Sequence, residues 1–173
     1  SLAGLKPDYI GLIFYPPSKR YIADPDKNTL ASLPSEIRLT GVFVDEQQEV
    51  IIEKVINHGL SVVQLHGAES PEYCSALRTK LKKFKPEKHV ELIKAFGIFP
   101  GFDFSTLERY DDAVDFFLFD TKTSEHGGSG IAFDWTILDQ YQGEKQFFLS
   151  GGLNPENIKG LVKLASKKIY ALD

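Results

Sequence analysis

Five short segments of this sequence place chemically able side chains or backbone donors beside apolar runs. Phe117-Leu118-Phe119-Asp120-Thr121-Lys122 ends an almost wholly apolar stretch in a carboxylate. Apolar surface around Asp120 would disfavour its charged form, and a carboxyl group that keeps its proton near neutral pH is a proton donor. Helix capping or pairing with Lys122 is the structural alternative. In Phe14-Tyr15-Pro16-Pro17-Ser18-Lys19-Arg20-Tyr21 a proline-fixed turn precedes Arg20, whose planar fork can clamp a carboxylate. A solvated surface arginine is an equal reading of that residue.

His66 and Gly67 close Gln64-Leu65-His66-Gly67, where a lone histidine is more often a structural donor than a catalyst. Leu149-Ser150-Gly151-Gly152-Leu153-Asn154-Pro155-Glu156-Asn157 has the order strand, glycine pair, capped helix. Backbone N–H groups exposed at a helix N-terminus bind a phosphate without requiring much net positive charge. Glu125-His126-Gly127-Gly128-Ser129-Gly130 is a glycine-rich loop able either to fold over a ligand or simply to connect elements.

These segments need a scaffold that brings strand ends together. Seven β-rich apolar runs alternate with amphipathic stretches: Tyr9 to Phe14, Leu39 to Val44, Ser61 to Leu65, Glu91 to Phe96, Asp115 to Asp120, Gln146 to Ser150 and Lys168 to Asp173. Nearly continuous apolar strands separated by helices predict parallel βα units covered on both faces. Glu46 to His58, with Val50, Ile51, Val55 and Ile56, and Ser70 to Phe84, with Tyr73, Leu77 and Leu81, have helical spacing and read as crossover helices. Ser70 before Pro71 is an N-cap followed by a first-turn proline, and Asn154-Pro155-Glu156 repeats the pattern. Asp134-Trp135 opens a further helix, and the basic stretch from Lys82 to Lys88, containing Pro86, reads as a solvated connection. Periodicity alone leaves an open doubly wound sheet and an eight-stranded barrel both standing. In either, ligands gather beyond the carboxyl ends of the strands, where the candidate residues lie.

Composition narrows the function classes. The 173 residues suit one domain, and 42% apolar content is enough for a buried core. With 20 basic against 24 acidic side chains and a net charge of -4, nothing suggests an electrostatic footprint for nucleic acid or for an anionic membrane. No apolar run approaches the roughly 18 residues of a spanning helix. One cysteine, Cys74, excludes an internal disulfide and points to a reducing, cytoplasmic setting. The opening Ser-Leu-Ala-Gly-Leu-Lys-Pro lacks a secretory pattern, and no Met occurs, so further residues are expected ahead of Ser1.

Taken in order, Tyr9 to Phe14, Ser18-Lys19-Arg20-Tyr21, Gly41-Val42-Phe43-Val44, Val63 to Gly67, Phe119-Asp120-Thr121-Lys122, Gly127 to Gly130, Phe133-Asp134-Trp135 and Leu149 to Pro155 resemble the phosphoribosylanthranilate isomerase family over nearly the whole chain. The resemblance implies a (β/α)8 TIM barrel, with residues 1–173 one domain incomplete at both ends and the seven runs its strands two to eight. It also implies an Amadori rearrangement in tryptophan biosynthesis that needs an acid and a base but no cofactor and no metal. Asp120 would be the acid, Arg20 would hold the anthranilate carboxylate, and Gly151 and Gly152 would donate to the phosphate. Asp173 would position the substrate amine, with His66 and Gly128 as further substrate contacts.

The family's base is a cysteine on a strand ahead of the first run seen here. Cys74, in the crossover helix, is expected to be a buried structural thiol. The implied partner is a small phosphorylated substrate, and the assembly a monomer or homodimer. Two other readings are an indole-glycerol-phosphate synthase-like barrel, for which Lys94 and Lys122 are the candidate lysines, and an inactive phosphate-ligand-binding barrel.

Overall fold

The computed structural model describes residues 7–121, 135–153 and 168–173, and the chain divides into two compact units, Ser1–Ile93 and Lys94–Asp173. In the first unit, β1 (Tyr9–Ile13), α1 (Lys27–Ala31), β2 (Arg38–Phe43), α2 (Gln48–His58), β3 (Val62–Leu65) and α3 (Pro71–Phe84) follow one another. β1 pairs with β2 and β2 with β3, both in parallel, with Tyr9 opposite Arg38 and Thr40 opposite Val62. β4 (Glu91–Ile98) begins in this unit, where Glu91 N–H donates to Ser61 O at 3.0 Å. Helix-linked neighbours pairing in parallel is the βαβ pattern expected from the alternating runs.

The residues explain the helices. Ser70 Oγ accepts from Tyr73 N–H at 3.2 Å and Pro71 occupies the first turn, so α3 starts where the sequence predicts. α2 ends at Gly59, whose φ of 65° is left-handed and carries no Cβ penalty. The buried stripe of α2 is Ile51, Ile52, Val55 and His58, whereas Ile56, expected to face inward, is 53% exposed. Two overlapping apolar sets with helical spacing exist in this segment, and its packing against the strands selects one. In α3 the buried positions are Cys74, Leu77 and Leu81, so Cys74 takes the inward place expected of Tyr73, which is half-buried. The basic stretch at 82–88 is exposed as predicted except at Lys85, whose Nζ donates to Leu60 O at 3.3 Å; α3 runs into it as far as Phe84. Phe14 stacks on Phe43 at 5.3 Å and on His58 at 5.6 Å.

In the second unit the rest of β4 is followed by a 3-10 helix, Phe104–Tyr110, then by β5 (Phe116–Thr121), a 3-10 helix Trp135–Gln140, β6 (Phe147–Ser150) and β7 (Ile169–Leu172). β5 pairs with β6 and β6 with β7, again in parallel. The helix expected to open at Asp134-Trp135 is therefore a 3-10 segment in its described part. Phe104–Tyr110, which Asp103 caps by accepting from Ser105 N–H at 3.0 Å, is not among the expected elements. Alternation along β5 separates two faces. Phe117 and Phe119 are fully buried against Tyr141 and Phe147, with Phe119 and Phe147 4.4 Å apart between ring centroids. Each such ring contributes about 1.5–3 kcal/mol by leaving water. Phe116, Leu118 and Asp120 take the other face, where Phe116 meets Phe148 and Tyr170 at 5.6 and 4.4 Å.

Candidate active site

The described candidates for acid catalysis and substrate contact lie at or beyond the C-terminal ends of strands, and the second unit holds four of them, Asp120, Gly151, Gly152 and Asp173. Asp120 is opposite Ser150 in the β5–β6 register, and Leu149 is opposite Leu172 in β6–β7, so Asp173 follows at the level of Ser150. Asp173 N–H donates to Leu149 O at 2.9 Å, which extends the ladder to the end of β7. Asp120 and Asp173 are thus two strand spacings apart, roughly 10 Å between backbones. The half-buried Asp120 projects from the face built by Phe116 and Leu118, with apolar side chains beneath it.

Directly beyond Ser150 the chain turns through Gly151 and Gly152, with φ values of 86° and 64°. Two successive left-handed residues are readily adopted only by glycine, and a Cβ on Gly152 would meet nothing within 4 Å, so Gly152 is required by backbone conformation rather than by crowding. Such a turn carries the chain out of the parallel ladder at the strand end, the kind of backbone concavity in which anions are bound. Gly128, Lys122 and the helix expected from Asn154 lie outside the described residues.

In the first unit Arg20 is exposed beyond β1. Its loop is closed by Ser18 N–H donating to Tyr15 O at 3.0 Å and by Ile22 N–H returning to Ile13 O at 2.9 Å, while Arg20 N–H donates to Ser18 Oγ at 3.2 Å. His66, half-buried, ends β3, its N–H donating to Phe43 O at 2.8 Å. Gln64 Nε2 is 2.8 Å from His66 Nδ1.

Two carboxylates that are not among the sequence candidates stand close to His66 in the β2 and β3 loops. Glu69, 4% exposed, accepts from Asp45 N–H at 2.9 Å and from Gly67 N–H at 3.0 and 3.2 Å. Asp45, at a left-handed φ of 49°, accepts from Ala68 N–H at 2.6 Å. The available signal was an acidic residue just after each strand, but only the fold shows that the two loops share it. Cys74 is fully buried on α3, as expected of a structural thiol. Lys94 is buried in β4, with Nζ donating to Ala95 O at 2.9 Å and lying 5.1 Å from the Phe96 ring centroid. Tyr141, part of the aromatic core, has its hydroxyl pushed up to about 12, first by burial and then by Asp111.

Parallel βα units with a carboxylate, a glycine turn and a cation beyond strand ends define an α/β enzyme of the (β/α)8 barrel class. The chain belongs to the N-(5'-phosphoribosyl)anthranilate isomerase family, whose model matches residues 3–173. It is 38% identical over 174 residues to the N-(5'-phosphoribosyl)anthranilate isomerase of Parabacteroides distasonis, covering 99% of this chain and 75% of that protein. The crystal structure of phosphoribosyl anthranilate isomerase from Thermotoga maritima is similar with a TM-score of 0.78 and 35% identity, covering 99% of this chain and 80% of that one. A phosphoribosyl anthranilate isomerase in complex with reduced 1-(o-carboxyphenylamino)-1-deoxyribulose 5-phosphate gives a TM-score of 0.74 and 31% identity, covering 99% and 78%.

Proposed function

We propose that this protein catalyses the Amadori rearrangement of N-(5-phosphoribosyl)anthranilate to 1-(2-carboxyphenylamino)-1-deoxyribulose 5-phosphate, a step of tryptophan biosynthesis, with Asp120 as the general acid. The observation that carries this reading is the end of β5, where Asp120 stands over Phe116 and Leu118 and level with Ser150 and Asp173. Asp120 protonates the furanose ring oxygen, the ring C–O bond breaks, and the anthranilate nitrogen supplies the electron pair that forms the Schiff base. Loss of the proton at C2 gives an enol, and its tautomerisation gives the ketose. The family resemblance assigns that proton to a cysteine on a strand ahead of β1 in the family's order, and Cys74, buried on α3, is not that group.

Arg20 holds the anthranilate carboxylate through two charge-assisted hydrogen bonds, and the Gly151-Gly152 turn offers N–H donors to the phosphate. His66, Gly128 and Asp173 complete the substrate contacts, Asp173 at the amine. A cytoplasmic location fits the buried, unbridged thiol of Cys74. Among the described residues no helix is long and apolar enough to cross a membrane.

The test follows the loss of anthranilate-ring fluorescence as freshly made substrate is consumed. Asp120→Asn keeps the shape and cannot donate an acidic proton, so turnover should fall by about 10²–10⁴-fold. Turnover in the variant within a few-fold of wild type would defeat the assignment.

A further inference from the structure

Glu69 lies between His66 and α3 along the chain, and its bonding pattern is specific to a carboxylate. A buried carboxylate is costly unless its oxygens are satisfied, and the partners of Glu69 are backbone N–H groups from two different loops. Asp45 N–H, after β2, reaches Oε1 at 2.9 Å, and Gly67 N–H, after β3, bridges both oxygens at 3.0 and 3.2 Å. Asp45 returns the link through Ala68 N–H at 2.6 Å. Glutamine could not reproduce this, because its NH2 would turn a donor toward the Gly67 N–H.

The consequence falls on His66. The peptide before its Cα is held by His66 N–H on Phe43 O at 2.8 Å, and the peptide after it by Gly67 N–H on Glu69. With both planes fixed, the direction of the Cα–Cβ bond is fixed, and the contact of the Gln64 amide with Nδ1 at 2.8 Å sets the turn of the ring.

We infer that Glu69 is a positioning residue for the isomerisation: by locking the β2 and β3 loops together it holds His66 in the orientation in which its ring meets the substrate. This rests on the isomerase reading and on His66 as a substrate contact. Small displacements of a positioned group lower rate steeply, on the order of a hundredfold for about 1 Å.

The experiment is a double-mutant cycle in the full-length protein with Glu69→Gln, His66→Asn and the pair. It is read as kcat/KM and, independently of turnover, as affinity for reduced 1-(o-carboxyphenylamino)-1-deoxyribulose 5-phosphate. Glu69→Gln should lower both by about tenfold or more in the wild-type background and by less than about threefold beside His66→Asn, because a residue that acts through His66 has nothing left to act on. An unchanged Glu69→Gln, or an equal loss in both backgrounds, would overturn the inference. If Glu69→Gln does not fold, Asp45→Gly replaces it in the cycle: it eases the left-handed backbone while removing the acceptor for Ala68 N–H, and the same coupled loss is expected, its absence again overturning the inference. A wild-type protein without turnover would defeat the isomerase reading as well, whereas wild-type turnover beside an uncoupled Glu69 would defeat this inference alone.

Discussion

Gly67→Ala tests the lock between the β2 and β3 loops through stability alone. A Cβ built on Gly67 would lie 2.4 Å from Asp45 Oδ1, 2.6 Å from Asp45 Cγ and 2.7 Å from Asp45 N. The backbone nitrogen cannot swing aside as the end of a long side chain could, and Oδ1 is held by Ala68 N–H at 2.6 Å. Relieving the contact requires a shift that breaks this hydrogen bond or displaces the Asp45 N–H from Glu69. Overpacking costs about 1–3 kcal/mol and loss of a hydrogen bond to a charged group about 1.5–3, against which the stiffer unfolded chain returns about 0.4–1.

The net destabilisation should be about 2–5 kcal/mol, and at roughly 2–4 °C per kcal/mol for a chain of this length the melting temperature should fall by at least about 4 °C. Urea denaturation followed by circular dichroism, with the m-value checked for constancy, measures it. Gly59→Ala is the control: Gly59 has a φ of 65° with no atom within 4 Å of an added Cβ, so only the left-handed penalty of about 1–2 kcal/mol applies. If Gly67→Ala lost less than about 1 kcal/mol, or less than Gly59→Ala, the two loops would not be locked as described.

Other parts of the molecule respond in different ways. Burial, then the nearby Lys54 charge, holds the His58 imidazole below its usual value, partly offset by Asp24. The unfolded chain therefore binds that proton more readily, so the contribution of His58 to stability is whole above about pH 6.5 and is lost as pH falls through its lower folded value. Melting curves of wild type and His58→Phe at pH 7.5 and 5 should show a smaller acid loss in the variant, and parallel losses would refute the assignment. Ser70→Ala removes the acceptor for Tyr73 N–H and should cost about 1 kcal/mol in denaturant unfolding; no change would mean that Pro71 alone sets the start of α3. Cys74, fully buried, should react with a thiol reagent only as fast as the protein opens, with the rate rising in urea. Prompt labelling in native buffer would contradict its burial.

Much of this architecture is written locally. The seven strands fall within about two residues of the apolar runs, because a strand covered on both faces needs apolar side chains at every position and leaves little else that such a run can form. Ser70-Pro71 set the start of α3 by local hydrogen bonding, and Gly151-Gly152 announced a turn that only glycine adopts readily. Asp120 was legible because a carboxylate closing the run Phe116 to Phe119 is incongruous in a core strand.

Tertiary structure decided the rest. The inward face of α2 could have included Ile56, and only packing chose Ile52 and His58, since periodicity leaves the rotation of a helix open. Phe104–Tyr110 forms a 3-10 helix, stabilised by the Asp103 cap and by the Phe104 ring against Phe119 and Tyr141, with no apolar repeat to announce it. Asp45 and Glu69 looked like ordinary loop acids. Their hydrogen bonds join residues 24 and 23 positions apart, Asp45 to Glu69 and Ala68 to Asp45, and an interaction between two separate loops leaves no periodic trace in either one. The types of residue at the strand ends belong to the sequence, and the register that sets Asp120, Ser150 and Asp173 at one level belongs to the fold, because hydrogen bonds between strands, and not order along the chain, determine which side chains become neighbours.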